Sequence, residues 1–568
     1  MDNNYDPMTF AVGHEQLFGV KLSMGDIIEI ISRYPVSFWL DICAKIESII
    51  LHPKKDLSEV QNMLLETFLP PSVMSRMQRK VEPGATSFSL GQVNLLRKLS
   101  IAYGSNGTNV EIPKVELSQV LLGVHDIHFE YDNTACKPGD LDSYAKHVLR
   151  SGYLNARVDF SALLARATDM YTDQASKMSM PSGELFIDLF TRLVGINPEE
   201  ATALGLAMAT PFFQEEKVIL YQTTLINPND YFDQSVIDSK KTELIISGLT
   251  ADFTEVKKEI LKELENFNPA TDPVGYNLKI FRRAPFIRLE DGRLACVSLP
   301  CLLQKATQNT IWMPLDHVTG KEKQKMLNEL TDYRGRLFGE YLKEICRLFE
   351  RQNKKIIFQY IPAESTDSHE EVGDSILIQE NEIVIFEAKS RQFNEKFKTT
   401  GDWQDDPLFL DELIIKGANQ IETAAKKIRT GQVDKFPVPQ NGINKIYPVL
   451  VTYEPVPMHA KMQRFVREKV AEAGLLSDVI FAPLEIMSIE DLERLRDAAT
   501  SSTIIDLLKI KNNTDPHASE TSFHNFFSRF LVSNEVISNG WNAEKSKNIW
   551  KQIRKFLRFK EEPSKDLI

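Results

Sequence analysis

In "GDSILIQENEIVIFEAKS", residues 373–390, two short apolar runs are joined by a polar tip, and charges stand only at that tip and at the two far ends. Asp374 opens its first apolar run, and Glu387 and Lys389 end the second. A two-residue turn at Glu380-Asn381 would pair Gln379 with Glu382. An antiparallel register keeps the sum of paired numbers constant, so Asp374 is expected opposite Glu387. Opposed side chains leave one face with Cβ atoms about 4.5–5.5 Å apart, and the two-residue period sets Lys389 on that face beside Glu387. Two carboxylates at the end of a covered strand repel each other unless something positive stands between them. Mg²⁺ answers that need, because it takes carboxylate, water and phosphate oxygens. A neighbouring ammonium can hold an attacking water or stabilise charge on a phosphoryl group. That combination suits phosphodiester hydrolysis; the plainer alternative is an ion cluster capping a hairpin.

The elements around the motif must hold it in place. Ile376, Ile378, Ile383 and Ile385 share the face of the acids, and Leu377, Val384 and Phe386 take the other, so the hairpin is expected inside a sheet covered on both sides. A helix is expected from about Tyr333 to Phe349, and "KKIIFQYI" reads as a strand before the hairpin. After it come the polar loop "RQFNEKFKTTGDWQDDP", a helix near 409–430, the strand "KIYPVLVTYE", a helix near 459–472, the strand "VIFAPL" and the helix "EDLERLRDA". The order α-β-β-β-α-β-α-β-α describes an α/β domain with a mixed central sheet over residues 326–500. Residues 1–275 read as mostly helical, with stretches such as "ADFTEVKKEILKELENF". Residues 276–325 read as a small connector whose Asp291-Gly292 marks a hairpin. Residues 501–568 form a basic helical segment with Ile549, Trp550, Ile553 and Phe556 at helical spacing.

Over the whole chain of 568 residues the net charge is −12, which opposes general attraction to polyanions. A nucleic-acid partner must therefore be met by a local patch, for which Lys396 and Lys398 in the polar loop and Arg554 and Arg558 near the C-terminus are the candidates. The five cysteines include no CxxC pair and read as reduced core thiols. His125 and His128 form an HxxH without the Glu of a zinc-protease motif. Neither GxxxxGK[ST] nor GxGxxG occurs, so no intrinsic ATP site is suggested. No run is long and apolar enough for a membrane helix, and "MDNNYDPMTF" lacks the features of a signal peptide, so a cytoplasmic protein is expected.

Glu-x-Lys alone is common; Glu215 to Lys217 and Glu255 to Lys257 repeat it without a paired Asp on a hairpin. The joint pattern, Asp374 followed by Glu387-Ala388-Lys389 inside this element order, resembles the PD-(D/E)XK nucleases, the restriction-endonuclease-like group, over residues 330–498. Gly373 stands where that pattern has Pro. The resemblance implies that Asp374 and Glu387 bind Mg²⁺, with Mn²⁺ able to substitute and the Ala388 carbonyl as a further ligand, and that Lys389 assists the attacking water. It also implies a Glu on the first helix, matched by Glu340 with Glu344 as the rival, and a Gln on the following helix, matched by Gln420. Ala424 replaces the Tyr that marks the exonuclease branch. The function so implied is a DNA endonuclease, with antiviral defence in bacteria suggested by analogy. Double-strand cutting by a chain with one site would need two copies, hence a homo-oligomer. The competing expectations are an inactive nuclease fold that binds nucleic acid, and a scaffold protein working through its helical N-terminal region.

Overall fold

The computed structural model describes residues 12–551, apart from 52–56, 81–87, 108–110, 138–139, 156–159, 233–237, 361–372, 407, 434–435, 438, 440–441, 459, 499–501, 515–520, 535–543, 545 and 548–549. Helices account for nearly all regular structure from His14 to Leu264, as the three- and four-residue apolar spacing requires. Several begin at reciprocal caps that satisfy otherwise orphaned N–H groups: Ser23 with Asp26, Ser89 with Gln92, and Asn197 with Glu200.

A first sheet has three strands, Thr250–Asp252 (β1), Phe286–Arg288 (β2) and Leu294–Cys296 (β3). The expected hairpin is β2–β3, antiparallel, turning at Asp291-Gly292. β1 trims the helical reading of "ADFTEVKKEILKELENF": the helix there starts only at Phe253, and Thr250–Asp252 pairs in parallel with β2. Alternation along the hairpin joins two cores. Ile287 and Ala295 belong to the N-terminal helical core with Trp39 and Leu96, whereas Phe286 and Leu294 belong to the core that holds Leu337 and Phe386.

The second sheet has five strands in the order β4-β5-β6-β7-β8: Ile357–Gln359, Ser375–Gln379, Glu382–Lys389, Lys445–Thr452 and Glu485–Ser488. The first three pair antiparallel and the last three parallel. Its central hairpin turns at Glu380, which adopts φ +54°, and pairs Gln379 with Glu382 as expected. The faces divide as the alternation requires. Ile376, Ile378, Ile383 and Ile385 pack in one core with Ile421 and Val466, while Leu377, Val384 and Phe386 lie in the other with Leu337 and Leu342.

Four details differ from expectation. The long first helix runs Gly320–Gln352, starting well before Tyr333: its first turns, "GKEKQK", are wholly polar, and only Met326 and Leu330 begin the apolar stripe that Tyr333 and Leu337 continue. The supposed loop after the hairpin contains the helix Glu395–Thr400. The helix near 409–430 opens with a π-helical stretch, Phe409–Ile415, and continues as the Gln420 helix, Lys416–Arg429. "VIFAPL" only bridges β7, at Ile446 and Phe481. The ladder with β7 forms at Glu485–Ser488, past Pro483, whose ring nitrogen cannot donate.

The helical N-terminal region and the sheet are not separate bodies. Arg166 grips Glu493 with two bonds, Nε to Oε1 at 2.8 Å and Nη2 to Oε2 at 2.7 Å, and the Tyr341 hydroxyl donates to the same Oε1 at 2.8 Å. Leu164 and Phe186 share a core with Leu337, Val449, Leu508 and Phe527, so the C-terminal helices Ile504–Thr514 and Phe523–Ser533 cover the same face. Trp550 is 5 % exposed in that core, packed on protein. Ile549, Ile553, Arg554, Phe556 and Arg558 lie outside the described residues. All the cysteines are buried free thiols. Among the described residues no helix is long and apolar enough to cross a membrane.

Candidate active site at the end of the central hairpin

β6 carries Glu387 and Lys389 two residues apart, hence on one face, and parallel pairing with Leu450 and Thr452 of β7 holds that end of the strand straight. Lys389 Nζ donates to Glu387 Oε1 at 2.9 Å and to Gln420 Oε1 at 2.5 Å. Glu387 is only 6 % exposed, so its charge sits in a poorly solvated place beside that ammonium. The Gln420 helix comes this close because residue 417 is glycine. A Cβ there would lie 2.5 Å from Leu450 Cδ2 and 3.2 Å from Lys389 Cε.

Asp374 precedes the paired part of β5. The ladder runs from Gln379 with Glu382 to Ser375 with Phe386. In that register Asp374 would face Glu387, but its N–H donates to Phe386 O at 3.0 Å, one residue short. Its Oδ2 accepts the Ala388 N–H at 2.6 Å, so a side chain stands in for a ladder acceptor. The bend follows from Gly373, whose φ of +66° belongs to the left-handed region that side-chain-bearing residues avoid. The expectation of a square opposition with Glu387 is thus corrected. Asp374 is bonded instead to the residue between Glu387 and Lys389. The departure at Gly373 has a physical reason too, since proline's φ near −65° could not make this bend.

The structure therefore gathers Asp374, Glu387, Ala388, Lys389 and Gln420. Glu340 stands nearby on the long helix, directly after Gly339, whose ideal Cβ position is 3.8 Å from Asp374 Oδ1. Its own Oε1 accepts from Lys343 Nζ at 2.8 Å. The rival Glu344 faces Arg347 at 3.9 Å on the exposed side. Lys396 is well exposed and pairs with Asp405 at 2.5 Å. Neither lysine is in a loop: both lie in the helix Glu395–Thr400, and Lys398 is buried and meets Glu454 Oε1 at 2.5 Å.

His125 and His128 are buried in the helix Lys114–Ala135, and burial pushes the His125 imidazole down to about 3. Among the described residues no group of three or more His, Cys, Asp or Glu is placed to hold a metal. A cation at the hairpin would rest on Asp374, Glu387 and backbone oxygen, a hard-oxygen set that suits Mg²⁺ with water completing its shell. Sequence reasoning missed Arg334 and Trp312, which stack by Tyr453 at this end of the sheet, on the face of the long helix; a lone Arg on a helix carries no motif that could have flagged it.

No protein-family model, curated protein or solved structure matches this chain.

Proposed function

We propose that the protein is a Mg²⁺-dependent nuclease that cuts DNA internally, with its centre at Asp374, Glu387 and Lys389. The observation that carries it is Lys389 Nζ held between Glu387 and Gln420, at 2.9 and 2.5 Å, on the strand residue next to the one that Asp374 grips. An ammonium so placed is held in one position before substrate arrives, which is what stabilising developing charge requires. Glu387 orients it from the strand and Gln420 from the helix. A rotation of Gln420 would free one of its protons for a phosphate oxygen or the attacking water. Asp374 and Glu387, with the Ala388 carbonyl, would hold the metal, which supplies a more acidic bound water and a polarised phosphate. DNA as the target, and a place in antiviral defence, are carried by the resemblance to the PD-(D/E)XK nucleases. Incubating the full chain with plasmid, linear and single-stranded DNA, with Mg²⁺ or with chelator, tests the proposal. Metal-dependent nicking that disappears in Glu387→Ala and Lys389→Ala is the expected result, and undiminished cutting by both variants overturns it.

One observation favours a second reading, an inactive fold that binds nucleic acid: the Lys389 ammonium already has two acceptors inside the protein. Under that reading the purified chain binds DNA and nicks nothing in Mg²⁺ or Mn²⁺.

A further inference from the structure

Arg334 lies on the long helix and is 3 % exposed, yet among the described residues it has no carboxylate partner within bonding distance. Its Nε and Nη1 are buried without an acceptor, and so is the indole Nε1 of Trp312. These donors belong to one cluster. The guanidinium carbon lies 4.8 Å from the centre of the Trp312 ring and 5.7 Å from that of Tyr453. Glu454, whose charge reaches the guanidinium, is engaged by Lys398 Nζ at 2.5 Å and by the Phe393 N–H at 3.0 Å. Burial with no ion pair pulls the arginine below its ordinary range. Native proteins rarely leave such groups without partners, because a buried donor gives up its water and gains no bond in return.

The cluster lies at the same end of the sheet as the candidate active site, but on the face covered by the long helix, opposite the face on which Lys389 meets Gln420. The Tyr453 N–H bonds Lys389 O at 3.0 Å, and the ideal Cβ position of Gly335, next to Arg334, is 3.5 Å from Ser390 Oγ. Three donor nitrogens, with four N–H groups and one positive charge between them, call for a compact anion rich in oxygens. A carboxylate offers two oxygens; a phosphomonoester offers three terminal ones in the geometry that a guanidinium fork matches. The three donor nitrogens are themselves closed to bulk water, so a small anion reaches them only when the side chains around them part, and a passing duplex backbone does not reach them.

We propose that Arg334 and the Trp312 indole N–H form a subsite for a phosphomonoester, supplied by a nucleic-acid strand end or by a free phosphate. Its role as a neighbour of a cutting centre rests on the nuclease proposal; its existence does not.

The test measures thermal stabilisation and binding on full-length protein carrying Glu387→Gln, so that cleavage cannot interfere. Inorganic phosphate, compared with chloride at equal ionic strength, is expected to raise the melting temperature. Arg334→Met, which keeps the length and removes the charge, should weaken phosphate affinity by about tenfold or more, and Trp312→Phe, which keeps a ring and removes the donor, by about threefold. If Arg334→Met fails to fold, Trp312→Phe carries the test. Oligonucleotides with a 5′-phosphate or a 5′-hydroxyl identify the source. A preference for the phosphorylated one that Trp312→Phe weakens points to a strand end; phosphate binding without that preference points to a free anion. No phosphate response in the parent, or an equal response in the variants, overturns the subsite. Phosphate binding by a wild-type chain that never cuts DNA would remove the nuclease proposal and leave the subsite standing.

Discussion

Lys389 Nζ stands 2.9 Å from Glu387 Oε1, two residues back along the same strand, with both side chains largely withdrawn from water. Each charge makes the other tolerable. Removing the lysine takes the ammonium away from a nearly buried carboxylate and removes the positive charge that a phosphate would meet. Lys389→Met is therefore expected to lower cleavage by about 10²–10³-fold. Circular dichroism should show a folded protein, and a nicking assay with Mg²⁺ reads the loss.

Gln420 touches Lys389 but sits on a different element, so its effect should be positional. Gln420→Ala is expected to reduce kcat about tenfold while leaving KM nearly unchanged, as loosening a well-placed group does. An unchanged kcat would exclude Gln420 from the machinery.

Gly417 lets the Gln420 helix lie against Leu450 and Lys389. Gly417→Ala forces those side chains to move, and overpacking of this kind costs about 1–3 kcal/mol. Urea unfolding should report the loss, and activity should fall with it because Lys389 is one of the displaced groups.

Arg166 and Glu493, 327 residues apart, form a buried two-bond pair between the helical region and the last helix of the sheet domain. Glu493→Leu leaves the buried guanidinium with Glu490 alone, 3.4 Å from Nη2, and is expected to cost up to about 3–5 kcal/mol; adding Arg166→Met to it should recover most of that. By the same logic residues 325–500 alone, stripped of Leu164, Phe186, Leu508 and Phe527, should give a poorly folded chain in hydrogen exchange.

His125 is buried with neither ring nitrogen bonded among the described residues, and burial, reinforced by His128, holds it neutral down to about pH 3. The unfolded chain takes up that proton near 6.5, the ordinary value. The unfolded state thus binds more protons between those limits, so stability falls as pH drops from 6.5 toward 3. His125→Leu should flatten that part of the pH profile in denaturant titrations without weakening the protein at pH 7.

How far the chain could be read without its fold depended on the range of each interaction. The alternation in residues 375–386 determined which side chains face which core, because a strand's period of two needs no knowledge of distant residues. The turn at Glu380-Asn381 and the order of elements from the long helix onward were legible for the same reason. The first polar turns of that helix and the strand β1 were not, because each is too short or too polar to carry a period of its own; the short helix holding Lys398 was overlooked although Asn394 caps its start and Gly401 ends it.

The amino-acid sequence by itself determined that Asp374, Glu387 and Lys389 would gather at one end of a covered hairpin. Only the tertiary structure decided that Asp374 bends away to grip the Ala388 N–H, that Gln420 closes on Lys389 from another element, and that Arg334 is buried at the same end of the sheet without a carboxylate. The division follows from physics: a hairpin register is set by neighbours in the chain, whereas helix-to-strand contacts and buried charges are set by which distant surfaces pack together.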